Sequence, residues 1–290
     1  MTVLLTTLFN GISHGVLLFV MAVGLSVTMG MMRFVNLAHV SLCMLGGYAL
    51  VVAMDHAGLP FLAALPLAFL ASAAAAAVLE ATLLRHFYAA EELTQVLLTI
   101  GVVFMSVSAA AYIWGPSFRP VRVPDWLSGH WDLGPLALER YRLFTLLVGG
   151  TLSLALWLGM ERTRFGAMLR ACVDNRRVAA ACGLHTGRLF AVAFAIGGGL
   201  AGLGGAMAIS LTGVDPNFPF RYLVVVLIVV SLGGMGTITG TLLSALAIGV
   251  ADVASKYYLP AAGGSIVYLL TIGLMLWRPN GLMGRRSGHA

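Results

Sequence analysis

Groups able to carry chemistry are few and scattered in this chain of 290 residues. The only lysine, Lys256, lies in Ser-Lys-Tyr-Tyr-Leu-Pro, so the Gly-Lys-Ser/Thr ending that a phosphate-binding loop needs is missing. The seven histidines, His14, His39, His56, His86, His130, His185 and His289, stand far apart, with no Ser/His/Asp set and no metal-ligand spacing. Cys43, Cys172 and Cys182 are odd in number and fit neither a disulfide framework nor a zinc site, which leaves them as small apolar fillers. Asp252 precedes Lys256 by four residues, a spacing that allows an ion pair on one helix face. These residues describe a protein with no catalytic groups, cofactor or metal of its own.

The elements that must position these groups are apolar. Apolar residues make up 60% of the chain and charged residues 10%, against roughly 45–50% and about 25% in an ordinary globular domain. With a mean hydropathy of +0.95, a water-soluble fold would expose very large apolar patches, whereas a bilayer removes the difficulty. The formal net charge of +6 does not point to nucleic acid, because the arginines collect in a few places between uncharged stretches. A membrane span needs about 20 apolar residues. Apolar runs fall at about 4–31, 34–54, 59–84, 93–114, 143–160, 189–211, 222–234, 238–251 and 265–277. Nine runs predict an all-α, polytopic membrane helix bundle of about 8–10 transmembrane helices, in a single domain over 1–290. The first run is too long for a signal-peptide core and reads as retained, with room for a second short element around 11–15.

Positions 161–188 hold six arginines against Glu161 and Asp174, and the tail from Arg278 holds three with no acid. Cytoplasmic loops concentrate basic residues, so both segments are expected inside, and the four runs between them return the chain to the same side. Counting back puts the N-terminus outside, or inside if the first run is two elements. The loop at about 115–141, rich in Pro and Trp, then faces the exterior, as do turns at 215–219 and 256–264. Glu80 and Arg85 lie near one inner boundary, Arg33 and His39 near another. No acid stands alone at mid-membrane, where an ion-coupled carrier would be expected to place one.

Gly198, Gly202 and Ala206, with Gly197, Ala201 and Gly205 on the adjacent row, predict close helix packing in lipid. The segment 231–237, Ser-Leu-Gly-Gly-Met-Gly-Thr, sits between two short runs and is either a tight turn or a broken helix lining a polar cavity. Inserting the six arginines of 161–188 into lipid would cost on the order of 15 kcal/mol, so that segment is aqueous. Asp174 is expected to cap a short helix over 175–182 that Gly183 ends, and Gly166, Met168 and Leu169 suggest a short helix before it. Helices this short need a partner to pack on. The segment either packs on the bundle or a soluble protein, or is held by lipid headgroups.

The same segment resembles the cytoplasmic motif of permease subunits of ATP-binding-cassette importers, specifically the branched-chain amino acid permease family. Its pattern is matched by Gly166, Arg170 with Ala171, Asn175, Ala179 with Ala180, and Gly183. The stretch 24–48 is similar to the family's Gly, Arg, Asn, Ala-His, Gly-x-Tyr signature, although Val40, Ser41 and Leu42 follow His39 where an acid is common. Arg-Pro-Asn-Gly-Leu-Met-Gly at 278–284 and the glycine-rich 231–240 also fit. The resemblance implies a non-catalytic permease in a bacterial inner membrane, multi-pass, with its C-terminus cytoplasmic. It implies a second, related permease subunit, two cytoplasmic ATP-binding subunits and an extracytoplasmic binding protein, and membrane lipid around the bundle. The docking residues would be Arg164, Gly166, Arg170, Ala171, Asn175, Ala179, Ala180 and Gly183. The translocation path would run by Asn36, His39, Tyr48, Gly233 and Gly234. Branched-chain or other small amino acids are the expected cargo, with urea or short amides, or an ion-coupled carrier, as alternatives.

Overall fold

The computed structural model describes residues 2–32, 34–121, 123–133, 136–234, 236–278 and 281–283. Among them are eleven α-helices: α1 (Thr2–Met32), α2 (His39–Asp55), α3 (Phe61–Thr82), α4 (Glu92–Trp114), α5 (Arg140–Arg162), α6 (Arg164–Asp174), α7 (Arg176–Ala181), α8 (Thr186–Thr212), α9 (Phe218–Gly233), α10 (Ile238–Tyr258) and α11 (Gly263–Trp277). One antiparallel hairpin, β1 (His130–Leu133) with β2 (Leu136–Glu139), sets Trp131 opposite Leu138 in the connection between α4 and α5. The protein is thus an all-α helix bundle. Its nine apolar helices fall on the nine apolar runs. Six of them, α1, α3, α4, α5, α8 and α10, are long and apolar enough to cross a membrane, while α2, α9 and α11 are shorter.

The first run forms one unbroken helix, so the second element for which 11–15 left room does not form. Its glycines serve packing instead. A Cβ on Gly11 would stand 2.7 Å from Val250 Cα, and one on Gly15 2.7 Å from the Ala245 carbonyl oxygen, so α10 lies directly on the α1 backbone. The glycine rows of α8 face different neighbours. Gly197 meets Gly24 of α1, Gly198 meets Ala76 of α3, and Gly205 lies against the Cys43 backbone of α2. A methyl group on Gly46 would overlap the Gly202 carbonyl. In lipid the apolar driving force between helices is absent, so such backbone approach supplies the cohesion. α1 and α8 are accordingly buried along most of their length at the centre of the bundle, whereas α4 and α5 leave most of theirs open. Their exposed Leu97, Met105, Leu147 and Leu154 suit lipid or an apolar partner helix.

Candidate functional site

The helix pair α6–α7 hangs from one end of the bundle. Thr163 caps α6, its Oγ1 accepting from Gly166 N at 3.2 Å, and Asn175 caps α7, its Oδ1 accepting from Arg177 N and Val178 N at 3.1 Å. The cap expected at Asp174 is therefore corrected to Asn175. Asp174 closes α6 with helical backbone, and only Asn175 has the extended conformation that lets a side chain fold back on the next helix. Gly183 follows α7 with φ of +85°, the conformation that ends a helix there. Neither short helix would be stable alone in water. Leu169, Cys172 and Ala179 bury themselves against Phe190 and Ala193 of α8, with Val27 of α1 and Met160 of α5 alongside.

This packing divides the residues singled out from the sequence. Gly166 and Ala179 face inward, and a Cβ at Gly166 would overlap the Met160 carbonyl oxygen, so Gly166 lets α6 turn tightly under α5. Arg164, Arg170, Ala171, Asn175, Ala180 and Gly183 are exposed. The Arg170 guanidinium donates to the Met160 carbonyl and lies 3.9 Å from Glu161. Sequence reasoning missed Val173 and Val178, which are 42% and 57% exposed beside these arginines. The available signal was two branched apolar residues among the arginines of this segment, Val173 near the end of α6 and Val178 within α7.

The second arrangement interrupts the bundle itself. His39 at the start of α2 donates from Nε2 to the Met21 carbonyl at 3.1 Å, eleven residues before the end of α1. At 1.5 Å per residue this places the start of α2 about 16 Å back into the bundle. The non-helical residues 34–38 climb that distance, and because most of them are buried their backbone groups need partners. Gln95 of α4 supplies one, accepting from Val35 N at 3.1 Å while its amide donates to Ala90 O at 3.0 Å, and Thr99 donates to Val35 O at 3.4 Å. Both polar atoms of the Asn36 side chain, and the Tyr48 hydroxyl, are buried with no hydrogen-bond partner among the described residues. Each such group costs about 1–3 kcal/mol unless something else satisfies it. The Tyr48 ring stacks on Trp114 at 4.3 Å, bordering a cleft between α2, α3 and α4 where Ser106 donates to Ser41 at 2.7 Å. Asn36, His39 and Tyr48 share this element but not one pocket, since His39 turns to α1 and Tyr48 to α4. Neither Gln95 nor Thr99 was visible as a functional residue in sequence, where each reads as a polar residue on an apolar helix.

Gly233 and Gly234 form a tight turn. Gly234 takes φ of +90°, and Thr237 Oγ1 donates to the carbonyls of Gly233 and Gly234 at 3.0 and 2.8 Å. A Cβ on Gly233 would lie 2.6 Å from Thr241 N, so α9 and α10 run back against each other there. Gly236 N donates to Ser26 O of α1, and Leu282 N to Leu232 O, which tucks the C-terminal Gly-Leu pair under the turn. Arg33, Met235, Pro279, Asn280, Gly284, Arg285, Arg286 and His289 lie outside the described residues.

At the end of the bundle opposite α6–α7, Lys256 Nζ is 2.7 Å from Asp252 Oδ2, the ion pair that the four-residue spacing allows. His14 of α1 reaches the same oxygen at 3.4 Å, and Arg221 pairs with Asp215. Histidines scattered in sequence gave no hint of the first contact, because it joins the first and tenth helices.

A family model described as branched-chain amino acid transport system / permease component matches residues 7–277. The high-affinity branched-chain amino acid transport system permease protein LivH of Salmonella typhimurium is 26% identical, over 97% of this chain and 96% of the relative. Its counterpart BraD of Pseudomonas aeruginosa is 25% identical over the same shares. The permease protein LivM of Salmonella typhimurium is 28% identical over 91% of this chain and 67% of the relative.

Proposed function

Because the chain belongs to the family of branched-chain amino acid transport system permease components, we propose that it is one membrane half of an ATP-driven importer of branched-chain amino acids, moved by separate ATPase subunits. The observation that carries this reading is the α6–α7 pair, whose buried side is packed on α1, α5 and α8 and whose open side carries Arg164, Arg170, Ala171, Val173 and Val178. A protein that pulls on that open side displaces α1 and α8 through the packing of Leu169, Cys172 and Ala179. α1 and α8 are the central pair, so the displacement reaches every helix packed on them. The single lysine, outside any phosphate loop, supports a reading in which partner subunits hydrolyse ATP.

By the positive-inside rule we read the arginine-rich end as the cytoplasmic one; the single helix α1 and a count of nine apolar helices support an N-terminus outside and a C-terminus inside. A second permease completes the pathway. LivH and LivM carry the same permease description, and the likeness of this chain to both supports a heterodimer of related subunits. A binding protein delivers the cargo from outside. Two cytoplasmic ATPases grip α6–α7 of the two halves.

Val178→Glu is the test. The exposed position should leave the permease monodisperse in detergent yet reduce ATPase co-purification about 10-fold or more, as expected for a charge forced into an apolar contact. Normal co-purification of the ATPases would sink the docking assignment.

A further inference from the structure

Between α1, α9, α10 and α11, at the end away from α6–α7, the helices leave a crevice of about 230 Å³. Its floor is apolar, formed by Leu18, Val225, Ile248 and Val267, of which Leu18 and Ile248 are fully buried. The rest of its lining is polar, with Arg221, Asp252 and Lys256 charged and His14 and Tyr222 beside them. We propose that this crevice binds a free zwitterionic α-amino acid with an apolar side chain. The ligand ammonium meets Asp252, its carboxylate meets Lys256 and Arg221, and its side chain lies on the floor. The proposal rests on the importer reading and names residues of this chain that receive the cargo on the side where a binding protein would release it.

Three observations carry it. Asp252 is largely sheltered, its side chain 17% exposed, and both of its contacts fall on Oδ2, which leaves Oδ1 as an acceptor. Lys256 is 62% exposed and tied by one hydrogen bond, so its ammonium can swing from Asp252 to a ligand carboxylate while a ligand ammonium takes its place. Asp215 and Asp252 balance Arg221 and Lys256. A zwitterion therefore enters without uncompensated charge, whereas an anion or a cation alone would leave one charge unpaired in a partly buried site. A phosphatidylethanolamine headgroup shares the ammonium-plus-anion chemistry. The crevice is partly open, with the exposed Tyr268 at its edge, so the two sources are separated by the experiment.

The test uses the assembled importer in nanodiscs of phosphatidylglycerol, with labelled leucine and no binding protein. Leucine should bind saturably. Norleucine should compete, while 4-methylpentanoate, lacking the ammonium, and isoamylamine, lacking the carboxylate, should not. Asp252→Asn and Lys256→Gln should each weaken binding about 10-fold or more, as loss of a charge-assisted hydrogen bond does, and Lys256→Arg should retain it, which also shows that the position tolerates change. Equal leucine binding in all variants, or displacement of leucine when phosphatidylethanolamine is added to the discs, would overturn the proposal. ATP-driven uptake by the wild-type importer, measured in parallel in proteoliposomes, separates the two readings. Uptake with unaltered leucine binding in the variants removes the crevice alone, and absence of wild-type uptake removes the importer reading itself.

Discussion

The α6–α7 pair and the α1–α8 centre are both helix contacts, and they are built by different rules. At the centre, glycines bring backbones together, so that Gly24 faces Gly197 and Gly46 faces Gly202 with no room for a side chain. At α6–α7 a few apolar side chains, Leu169, Cys172 and Ala179, hold two capped helices in place while the other side stays open to water. The centre has no solvent to drive its association and relies on contact and shape. The helix pair sits where water is present and can use burial of apolar surface. The first is consequently intolerant of added atoms, and the second can be altered on its open side without unfolding. A rigid centre joined to an alterable handle is what a subunit moved by another protein needs.

Substitutions can break or sharpen this contrast. The largest effect is expected for Gly46→Leu, whose side chain would overlap the Gly202 backbone; folded protein should be lost, read as absence of a monodisperse peak in detergent. Gly166→Glu comes next, because the position is buried and backs on the Met160 carbonyl. It should lower the thermal midpoint of the purified chain by several degrees, about 1–3 kcal/mol for overpacking, and a midpoint equal to wild type would show that Gly166 is open after all. Arg170→Glu should barely change that midpoint, since an exposed ion pair is worth about 0–1 kcal/mol, while recovery of bound ATPase falls. Asn175→Ala removes one cap, worth about 1 kcal/mol; proteolysis near 175–183 should quicken while the global transition stays in place. The smallest effect on stability is expected for Tyr48→Phe. The hydroxyl has no partner among the described residues, so its removal should leave the midpoint unchanged or slightly higher. Slower uptake by that variant would tie the orphan hydroxyl to the path, and wild-type uptake would make Tyr48 a packing residue.

Legibility in sequence followed the range of the interaction. The nine apolar helices, the glycine rows, the end of α7 at Gly183 and the two short helices were all readable, because each depends on residues within a few turns of one another. The cap at Asn175 was misplaced by one residue. Both Asp174 and Asn175 are good caps, and only the path of the chain between α6 and α7 chooses between them. Gly166 and Ala179 stand in the same motif as Arg170 and Ala180, and the sequence left open which of them pack on the bundle; the first two face it.

Composition and the order of apolar and basic stretches determined by themselves that the chain is a membrane helix bundle with one arginine-rich end, since lipid selects on the local transfer free energy of each segment. Tertiary structure alone decided the depth at which α2 starts, the reach of Gln95 and Thr99 to Val35, and the meeting of His14 with Asp252. Those contacts join residues up to 238 positions apart, between 14 and 252. No periodicity within a helix encodes which neighbour its polar face will meet; packing of the whole bundle does.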